Sequence, residues 1–168
     1  MKKVIIILLV LIVGVFFFYY YNRLRNVKSI KLQLDEIKFS GIIIESKGFK
    51  IKERVKITLI YSITNPSGQE ITLNIKKAYL SCDLIPLGEY DINKLVKIKK
   101  GSTFSFFNIT IALNEQKSRE IAIKYFNGVI FKKTSVLKVH LTVELPVSLV
   151  GGLATIEVLD IYSTKTFP

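Results

Sequence analysis

Residues 56–66 read KITLIYSITNP, and this stretch decides the fold of the chain. Apolar side chains occupy every second position of the run, at Ile57, Leu59, Tyr61 and Ile63. Such alternation is typical of a strand with one buried face and one wet face. Pro66 ends the strand because it has no N–H donor for a ladder, and Asn65 can close an Asx turn. The stretch therefore predicts a long strand that stops in a tight turn.

The same period of two continues on both sides of this strand. It recurs at Ile30, Leu32 and Leu34, at Ile71, Leu73 and Ile75, at Phe104, Phe106, Ile109 and Ile111, and at Val139, Leu141, Val143 and Leu145. Turn-forming residues separate the runs at 46–48, 65–68, 86–88, 99–102 and 151–152. Several strands without intervening helices predict a mainly β protein, an antiparallel β-sandwich of about seven strands like the immunoglobulin and fibronectin folds.

One segment, residues 114–128, breaks the rhythm and predicts a short α-helix. Asn114 can cap its start, Glu115 suits its first turn, and Gly128 suits the position just past its end. Two i,i+4 pairs give it an inward face, Ile121 with Tyr125 and Ala122 with Phe126. We expect this helix to cover an open edge or end of the sandwich.

The composition excludes several classes of protein. With 168 residues, 49% of them hydrophobic, the chain fits one folded domain plus an anchor and is unlike a disordered or large multidomain protein. One cysteine, Cys82, cannot form an intramolecular disulfide, and with one histidine it cannot build a Cys/His zinc site. The formal net charge is +12.

Residues 4–21 form an uncharged apolar run at the N-terminus. Eighteen helical residues span about 27 Å, close to the roughly 30 Å of a bilayer core. A signal peptide would have a shorter core and a small-residue cleavage site, and all-round hydrophobicity at the extreme N-terminus disfavours a buried core helix. We therefore predict an uncleaved anchor over residues 1–25 and a folded domain over residues 26–168. The residues taken as lipid contacts are Val4, Ile5, Leu8, Leu11, Val15, Phe18 and Tyr21.

The orientation of the anchor is left open by the positive-inside rule. Two lysines and the α-amino group precede the run, and four basic residues follow it: Arg23, Arg25, Lys28 and Lys31. A short basic start before an apolar run favours export of the domain, and Asn108 lies in a glycosylation sequon. The four basic residues are candidates for contact with anionic headgroups, whereas the other lysines could equally serve solubility.

No constellation for catalysis emerges from the sequence. His140 alternates with apolar residues and is expected on the wet face of a strand, with Thr142 and Glu144. Asp83, Glu89 and Asp91 crowd one turn, but a calcium site needs more oxygen ligands at stricter spacing. The basic residues are scattered and not clustered with aromatics, which disfavours nucleic-acid binding. We predict neither an enzyme nor a cofactor.

The order of these elements resembles a known family. The alternating strand ending at Asn65-Pro66 is followed by a second strand, a turn at Leu87-Gly88, a third strand, a Lys-Gly-Ser turn and a strand over residues 103–113. This resembles the water-stress and hypersensitive-response (WHy) domain of type 2 late-embryogenesis-abundant proteins, over about residues 28–163. The matching motif positions are Asn65, Pro66, Leu87 and Gly88. The high lysine content departs from the family pattern.

The resemblance implies a sandwich with one helix, no cofactor, no catalytic residues and an association with desiccation and stress. We therefore expect a noncatalytic single-pass membrane protein, in stress protection or envelope-associated binding, with client or envelope proteins as partners. Its Lys- and Ile-rich composition is compatible with a thermophile, and we expect an archaeal source. The alternative is a pilin-like or envelope filament subunit, although Lys3-Val4 does not supply the small residue that pilin processing needs.

Overall fold

The computed structural model describes residues 2–28, 30–45, 48–67, 70–101, 105–148 and 154–168. In these ranges an N-terminal helix, α1 (Lys2–Lys28), precedes seven strands and a second helix. The elements after α1 are β1 (Lys31–Glu45), β2 (Gly48–Thr64), β3 (Ile71–Cys82), β4 (Ile85–Ile98), β5 (Ser105–Ala112), α2 (Glu115–Phe131), β6 (Ser135–Ser148) and β7 (Ala154–Phe167).

The strands form two antiparallel sheets with orders β1-β2-β5 and β4-β3-β6-β7. The chain passes from one sheet to the other three times, after β2, after β4 and after β5, and the third crossing runs through α2. Such crossings between two packed sheets are those of an immunoglobulin-like sandwich. The predicted mainly β architecture, with about seven strands and one short helix after an apolar N-terminal helix, is confirmed.

The core lies between the inward faces of the two sheets. From β2 it takes five side chains with no exposed surface: Val55, Ile57, Leu59, Tyr61 and Ile63. Opposite them, β6 contributes Leu137, Val139, Leu141, Val143 and Leu145. Each large apolar side chain buried in this way contributes about 1.5–3 kcal/mol. The alternation read from the sequence therefore identifies two of the strands that build the core.

Two departures from simple alternation shift which residues face inward. A register shift between Ile75 and Lys77 moves the buried parity of β3 by one residue, so Ala78 and Leu80 follow Ile75 into the core. A β-bulge has this effect because two residues on one strand oppose one on its partner. In β5 the prediction for Phe106 is wrong: Phe106 is exposed and Phe107 is buried. Phe104 lies outside the described residues.

The helix α2 covers the part of β2 that β5 leaves unpaired. Asn114 caps it, its side chain accepting a 2.9 Å hydrogen bond from the Lys117 amide. Ile121 and Ala122 are buried, and Tyr125 and Phe126 are half-buried against aromatic rings of β1 and β2. The predicted inward face and the edge-covering role therefore agree with the contacts between α2 and β2.

The predicted end of α2 at Gly128 is wrong. The helix runs to Phe131, and Lys132 takes the left-handed conformation at its end with φ of 53°. Gly128 lies inside the helix, where an added Cβ would sit 1.6 Å from the backbone of Pro168. A glycine at this position therefore lets the chain after β7 approach the helix closely. It does not adopt the left-handed conformation for which glycine is usually found just past a helix end.

Ser118 on α2 replaces a strand as a hydrogen-bond partner of β2. The Val55 carbonyl accepts from the Leu113 amide at 2.9 Å, which continues the ladder one residue beyond β5. The Val55 amide, where no strand follows, donates to Ser118 Oγ at 3.0 Å. Both residues are buried, so this hydroxyl satisfies a donor that water does not reach.

Replacing Ser118 by alanine should destabilise the protein by about 1–2 kcal/mol, because it leaves the Val55 amide buried and unsatisfied. Denaturant unfolding measures the loss, and hydrogen exchange at the Val55 amide should accelerate more than at other core amides. Gln116→Ala, on an exposed position of the same helix, is the control and should change stability by less than about 0.5 kcal/mol. Equal stability of the two variants would contradict this role for Ser118.

Candidate functional site

The apolar run forms a helix that packs against nothing in the described structure. Residues Val4–Asn22 have a mean hydropathy of 2.8 and none of this stretch is buried. Nineteen helical residues extend about 29 Å, enough to cross a bilayer core. By length and composition this helix could span a membrane, and a signal sequence near an N-terminus has the same properties.

The residues predicted to contact lipid are all exposed on this helix. Val4, Ile5, Leu8, Leu11, Val15, Phe18 and Tyr21 each have more than half of their surface open. They lie mainly along one face, and the apolar side chains of Ile6, Leu9 and Val13 on the opposite face are exposed as well, so the helix has no polar face and no buried face. A helix that is apolar all round needs an apolar surrounding, because leaving such side chains in water costs about 1.5–3 kcal/mol each.

The four basic residues follow at the junction with the sandwich. Arg23, Arg25 and Lys28 lie in the last turns of α1, and their side chains are outside the described part of the chain. Lys31 is exposed at the first position of β1, three residues after α1 ends. The predicted contact with anionic headgroups thus stays a prediction, although the short link holds Lys31 close to wherever α1 ends.

Asn65 organises the turn after β2 from a fully buried position. Its Oδ1 accepts from the Ser67 amide at 3.1 Å and from the Ser67 hydroxyl at 2.6 Å, which closes the predicted Asx turn. Its Nδ2 donates to the Lys99 carbonyl at 3.3 Å. Lys99 follows β4, so this one amide joins the ends of strands from opposite sheets. Pro66 is exposed beside it and ends the strand as expected.

Leu87 and Gly88 do not form a turn, which corrects the expectation carried by the resemblance. Both lie inside β4, with Leu87 buried and Gly88 at φ of 127° opposite a register shift in β3. The turn between β3 and β4 consists instead of Asp83, at φ of 53°, and Leu84. Aspartate tolerates this left-handed conformation, so a two-residue hairpin turn forms without glycine. Gly88 marks a bulge.

Asp83, Glu89 and Asp91, which crowd one turn in the sequence, do not form a cation site. Asp83 pairs with Lys124 of α2, while its Oδ1 accepts from the Val136 amide at 2.8 Å. The Lys124 ammonium, followed by the Val136 amide, holds the pKa of Asp83 below its ordinary value. Glu89 pairs with Lys77 on the wet face. No three metal-ligating side chains converge in the ranges that the structure describes.

His140 lies on the outer face of β6, as expected for a strand histidine. Its Nε2 is 2.8 Å from Asp160 Oδ1 on β7, and its ring stacks on Tyr162 with centroids 4.3 Å apart. In the register of the sheet, His140 stands directly opposite Tyr162. The group is therefore an exposed cross-strand cluster of the kind that stabilises a sheet. A general base would also need a nucleophile and an enclosed site.

Cys82 is a core thiol at the end of β3. It has no exposed surface, and burial, followed by the adjacent Asp83 carboxylate, raises its pKa to about 11. A thiol reacts as its thiolate, so both properties suppress reactivity near neutral pH.

Iodoacetamide should therefore leave Cys82 unmodified in the native protein and label it fully after unfolding in denaturant. Mass spectrometry follows the labelling, and the rate in mild denaturant should track global unfolding. Prompt labelling of the native protein at neutral pH would show a locally open β3 end and contradict this assignment.

Reasoning from the sequence missed the two contacts that fix α2 to the sandwich, Ser118 with Val55 and Lys124 with Asp83. A signal for the first was present, because Ser118 lies three and four residues before Ile121 and Ala122 on the buried face. The second joins residues 41 positions apart, and no local pattern indicates it.

The fold is that of a small β-sandwich domain preceded by an apolar helix. It is similar to the folds of several solved structures. A crystal structure of a protein from Archaeoglobus fulgidus aligns with 81% of this chain and 98% of its own, at 12% identity and a TM-score of 0.44. A solution structure from Arabidopsis thaliana covers 81% and 79%, at 12% identity and a TM-score of 0.49.

A third structure is described as a late embryogenesis abundant protein, and it covers 92% of this chain and 80% of its own, at 12% identity and a TM-score of 0.37. No family model matches the sequence. No curated protein matches it either. Similarities at this level describe the general fold and carry no argument about activity.

Proposed function

We propose that this protein is a membrane-tethered, noncatalytic β-sandwich module of the WHy type that protects neighbouring proteins during drying or related stress. The proposal includes a domain on the outer side of the membrane and an archaeal source. One observation carries the tethering: α1 contains a 19-residue apolar span, Val4–Asn22, with no buried surface, and the helix ends three residues before β1.

The noncatalytic part rests on how the described polar side chains are used. Asn65, Asp83 and Ser118 each hold one element against another. His140 and Asp160 are paired on an open sheet face. Each of these groups has a structural partner, and catalysis would need some of them to converge in an enclosed site.

Tethering is tested by following the full chain through membrane extraction. We expect the protein in the carbonate-resistant membrane fraction, with an intact mass that includes residues 1–25. A lighter chain in the soluble fraction would mean that the helix is a cleaved signal sequence. A processed chain assembled in filaments would favour the pilin-like alternative and contradict the tether.

Orientation is tested with protease added to intact cells. If the domain lies outside, cleavage should occur in the exposed connections and leave a membrane-retained fragment containing α1. Complete resistance in intact cells, with cleavage after lysis, would place the domain inside.

The stress role is tested with vesicles carrying the full chain. A labile soluble enzyme is dried with these vesicles and rehydrated, and its remaining activity is compared with that obtained using vesicles that carry an equal mass of an unrelated single-span protein. Higher recovery only with this chain supports the proposal, and equal recovery removes the stress role while leaving the tether intact.

A further inference from the structure

The seam between the edge strands β1 and β7 is closed at one end and open at the other. Away from α1, the ring of Phe39 on β1 lies 4.7 Å from that of Phe167 on β7 and 5.3 Å from that of Tyr125 on α2. Near α1, no such aromatic contact joins the two strands in the part of the chain described. At the end where the N-terminal helix enters, a cavity lies between the two strands, lined by residues 30–33 and 159–162.

This opening is an apolar groove with a volume of about 630 Å³. Its floor is made by the buried side chains of Leu73 and Val143, and its walls by the half-buried Leu32 of β1 and Leu159 and Ile161 of β7. The lining covers four consecutive residues on each side, 30–33 at the start of β1 and 159–162 in β7, which corresponds to about 13 Å of extended chain. Both the volume and the lining are those of sites that hold apolar ligands.

The opposite seam, between β4 and β5, lacks this character. The Lys94 ammonium crosses from β4 to Asn108 on β5, where it contacts the backbone carbonyl and, at 3.2 Å, the side-chain oxygen. The cavity there is lined mainly by polar residues such as Asp91, Asn93 and Thr110. We therefore expect an apolar ligand to bind in the β1–β7 seam and not in the β4–β5 seam.

We propose that the groove holds an acyl chain of a lipid from the bilayer in which α1 is embedded. This rests on the proposed tether. Ile30, the first residue that lines the groove, lies two residues after α1 ends and eight residues after the apolar span ends at Asn22, so about 9 Å of helix and about 7 Å of chain hold the opening close to the bilayer. At that position the apolar chains at high local concentration are those of membrane lipids.

The charged side chains that line the groove are Lys31 and Asp160, and the Asp160 carboxylate is already engaged by His140 Nε2 at 2.8 Å, which leaves Lys31 for an amphiphile. Lys31 stands exposed beside Ile30 at the end nearest α1, in position to pair with an anionic headgroup while the chain lies on the Leu73–Val143 floor. Transfer of a chain from bilayer to groove exchanges one apolar surrounding for another, so it costs little, and it removes from water the half-exposed walls. The competing occupant is an extended peptide that adds a strand to β1 or β7.

The absence of tryptophan from the chain permits a direct test. A single tryptophan is introduced into the full chain at one of three places: Leu32→Trp in the groove, Thr72→Trp as its matched control, and Phe17→Trp in α1. Thr72 adjoins Leu73 in β3, so it stands at the same level of the sandwich with its side chain on the opposite face of the sheet. Each variant is placed in phosphatidylcholine vesicles with or without bromine at mid-chain.

Brominated chains quench only the tryptophans that they contact. We expect Phe17→Trp and Leu32→Trp to show about twofold lower emission in brominated vesicles, and Thr72→Trp to be unchanged. Quenching of Phe17→Trp without Leu32→Trp would overturn the groove proposal and leave the tether standing. Equal quenching of Leu32→Trp and Thr72→Trp would also overturn it, because it would show mere closeness to the bilayer. No quenching of Phe17→Trp would refute the tether itself.

Two further measurements guard against a misfolded reporter. Leu159→Trp reports from the opposite wall and should be quenched like Leu32→Trp, with cooperative unfolding retained in both. Adding Ile161→Lys to Leu32→Trp should abolish the quenching, since this half-buried position lets an ammonium reach water while its stem fills the groove. Persistent quenching in that double variant, or protection of β1 edge amides without quenching, would overturn the proposal.

Discussion

Replacing Leu8 and Leu11 together by lysine is expected to release the protein from the membrane. Both side chains are exposed in the first half of the 19-residue span, Leu11 two residues and Leu8 five residues before its midpoint, where nothing in the sandwich could shield a charge. A lysine at the centre of a membrane helix costs about 2.5–3.5 kcal/mol, and each lost leucine forfeits a further few tenths. The two replacements together therefore oppose insertion by up to about 6–8 kcal/mol, less for Leu8, which is nearer the end of the span.

The measurement is the fraction of the chain that remains in the membrane pellet after carbonate extraction, followed with an antibody against the domain. We expect the wild-type chain almost entirely in the pellet and the double variant almost entirely in the supernatant. Retention of the double variant in the pellet would show that the sandwich, or a partner, holds the protein at the membrane without the helix.

The matched control makes the same two changes in the sandwich. Leu84 is 93% exposed in the turn between β3 and β4, and Leu95 is 65% exposed on β4. Leu84→Lys with Leu95→Lys adds the same two charges and removes the same two leucines, yet it should leave the protein in the pellet and its stability within about 1 kcal/mol. A loss of membrane retention in this control would point to a general effect of charge and not to α1.

Local patterns in the sequence identified those elements whose structure depends on local physics. Alternation in residues 56–66 predicted β2 because the period of two is a property of one strand. The Asn114 cap predicted the start of α2 for the same reason, since the bond to the Lys117 amide spans three residues. The apolar helix α1 follows from composition alone. Each of these predictions needed nothing from distant parts of the chain.

The errors arose where a distant contact decides the local structure. The bulge in β3 is defined by its pairing with both β4 and β6, so the shift of the buried face after Ile75 has no signature in β3 itself. Gly128 resembles a helix stop, but packing of Pro168 against it makes glycine necessary inside the helix. The groove is likewise a property of two strands far apart in sequence, β1 and β7, and alternation in either one says only that it has an inward face.

The Asn65 side chain makes both a local contact that the sequence predicts and a distant contact that it does not. Its Asx turn with Ser67 is local and follows from the sequence, whereas its hydrogen bond to the Lys99 carbonyl spans 34 residues and joins the two sheets. This long-range bond gives the Asn65-Pro66 motif a physical meaning: the buried amide fixes the end of β2 against the end of β4. The motif thus acts as a structural clasp at the end of the sandwich nearest α1.

Asn65→Ala should accordingly destabilise the protein by about 2–4 kcal/mol, because it removes the acceptor of two hydrogen bonds from the buried Ser67 and the donor to the Lys99 carbonyl. Denaturant unfolding of the full chain in detergent gives the free energy. Ser67→Ala should cost less, since the Lys99 bond survives, and Pro66→Ala at the exposed neighbour should cost at most about 1 kcal/mol, through the entropy of the unfolded chain. Equal losses at positions 65 and 66 would contradict the clasp.

Asn65→Asp separates the two halves of the clasp. The ionised carboxylate can still accept from Ser67, but it cannot donate to the Lys99 carbonyl and it is buried, so its pKa in the folded state should lie above the roughly 3.9 of an unfolded aspartate. The free energy of unfolding of this variant should then fall short of the wild-type value by the full amount above the folded pKa. The difference should shrink as pH falls toward about 3.9, because the protonated carboxyl can donate to the Lys99 carbonyl. A deficit independent of pH would show that the bond to Lys99 contributes nothing and that the Asx turn alone accounts for the motif.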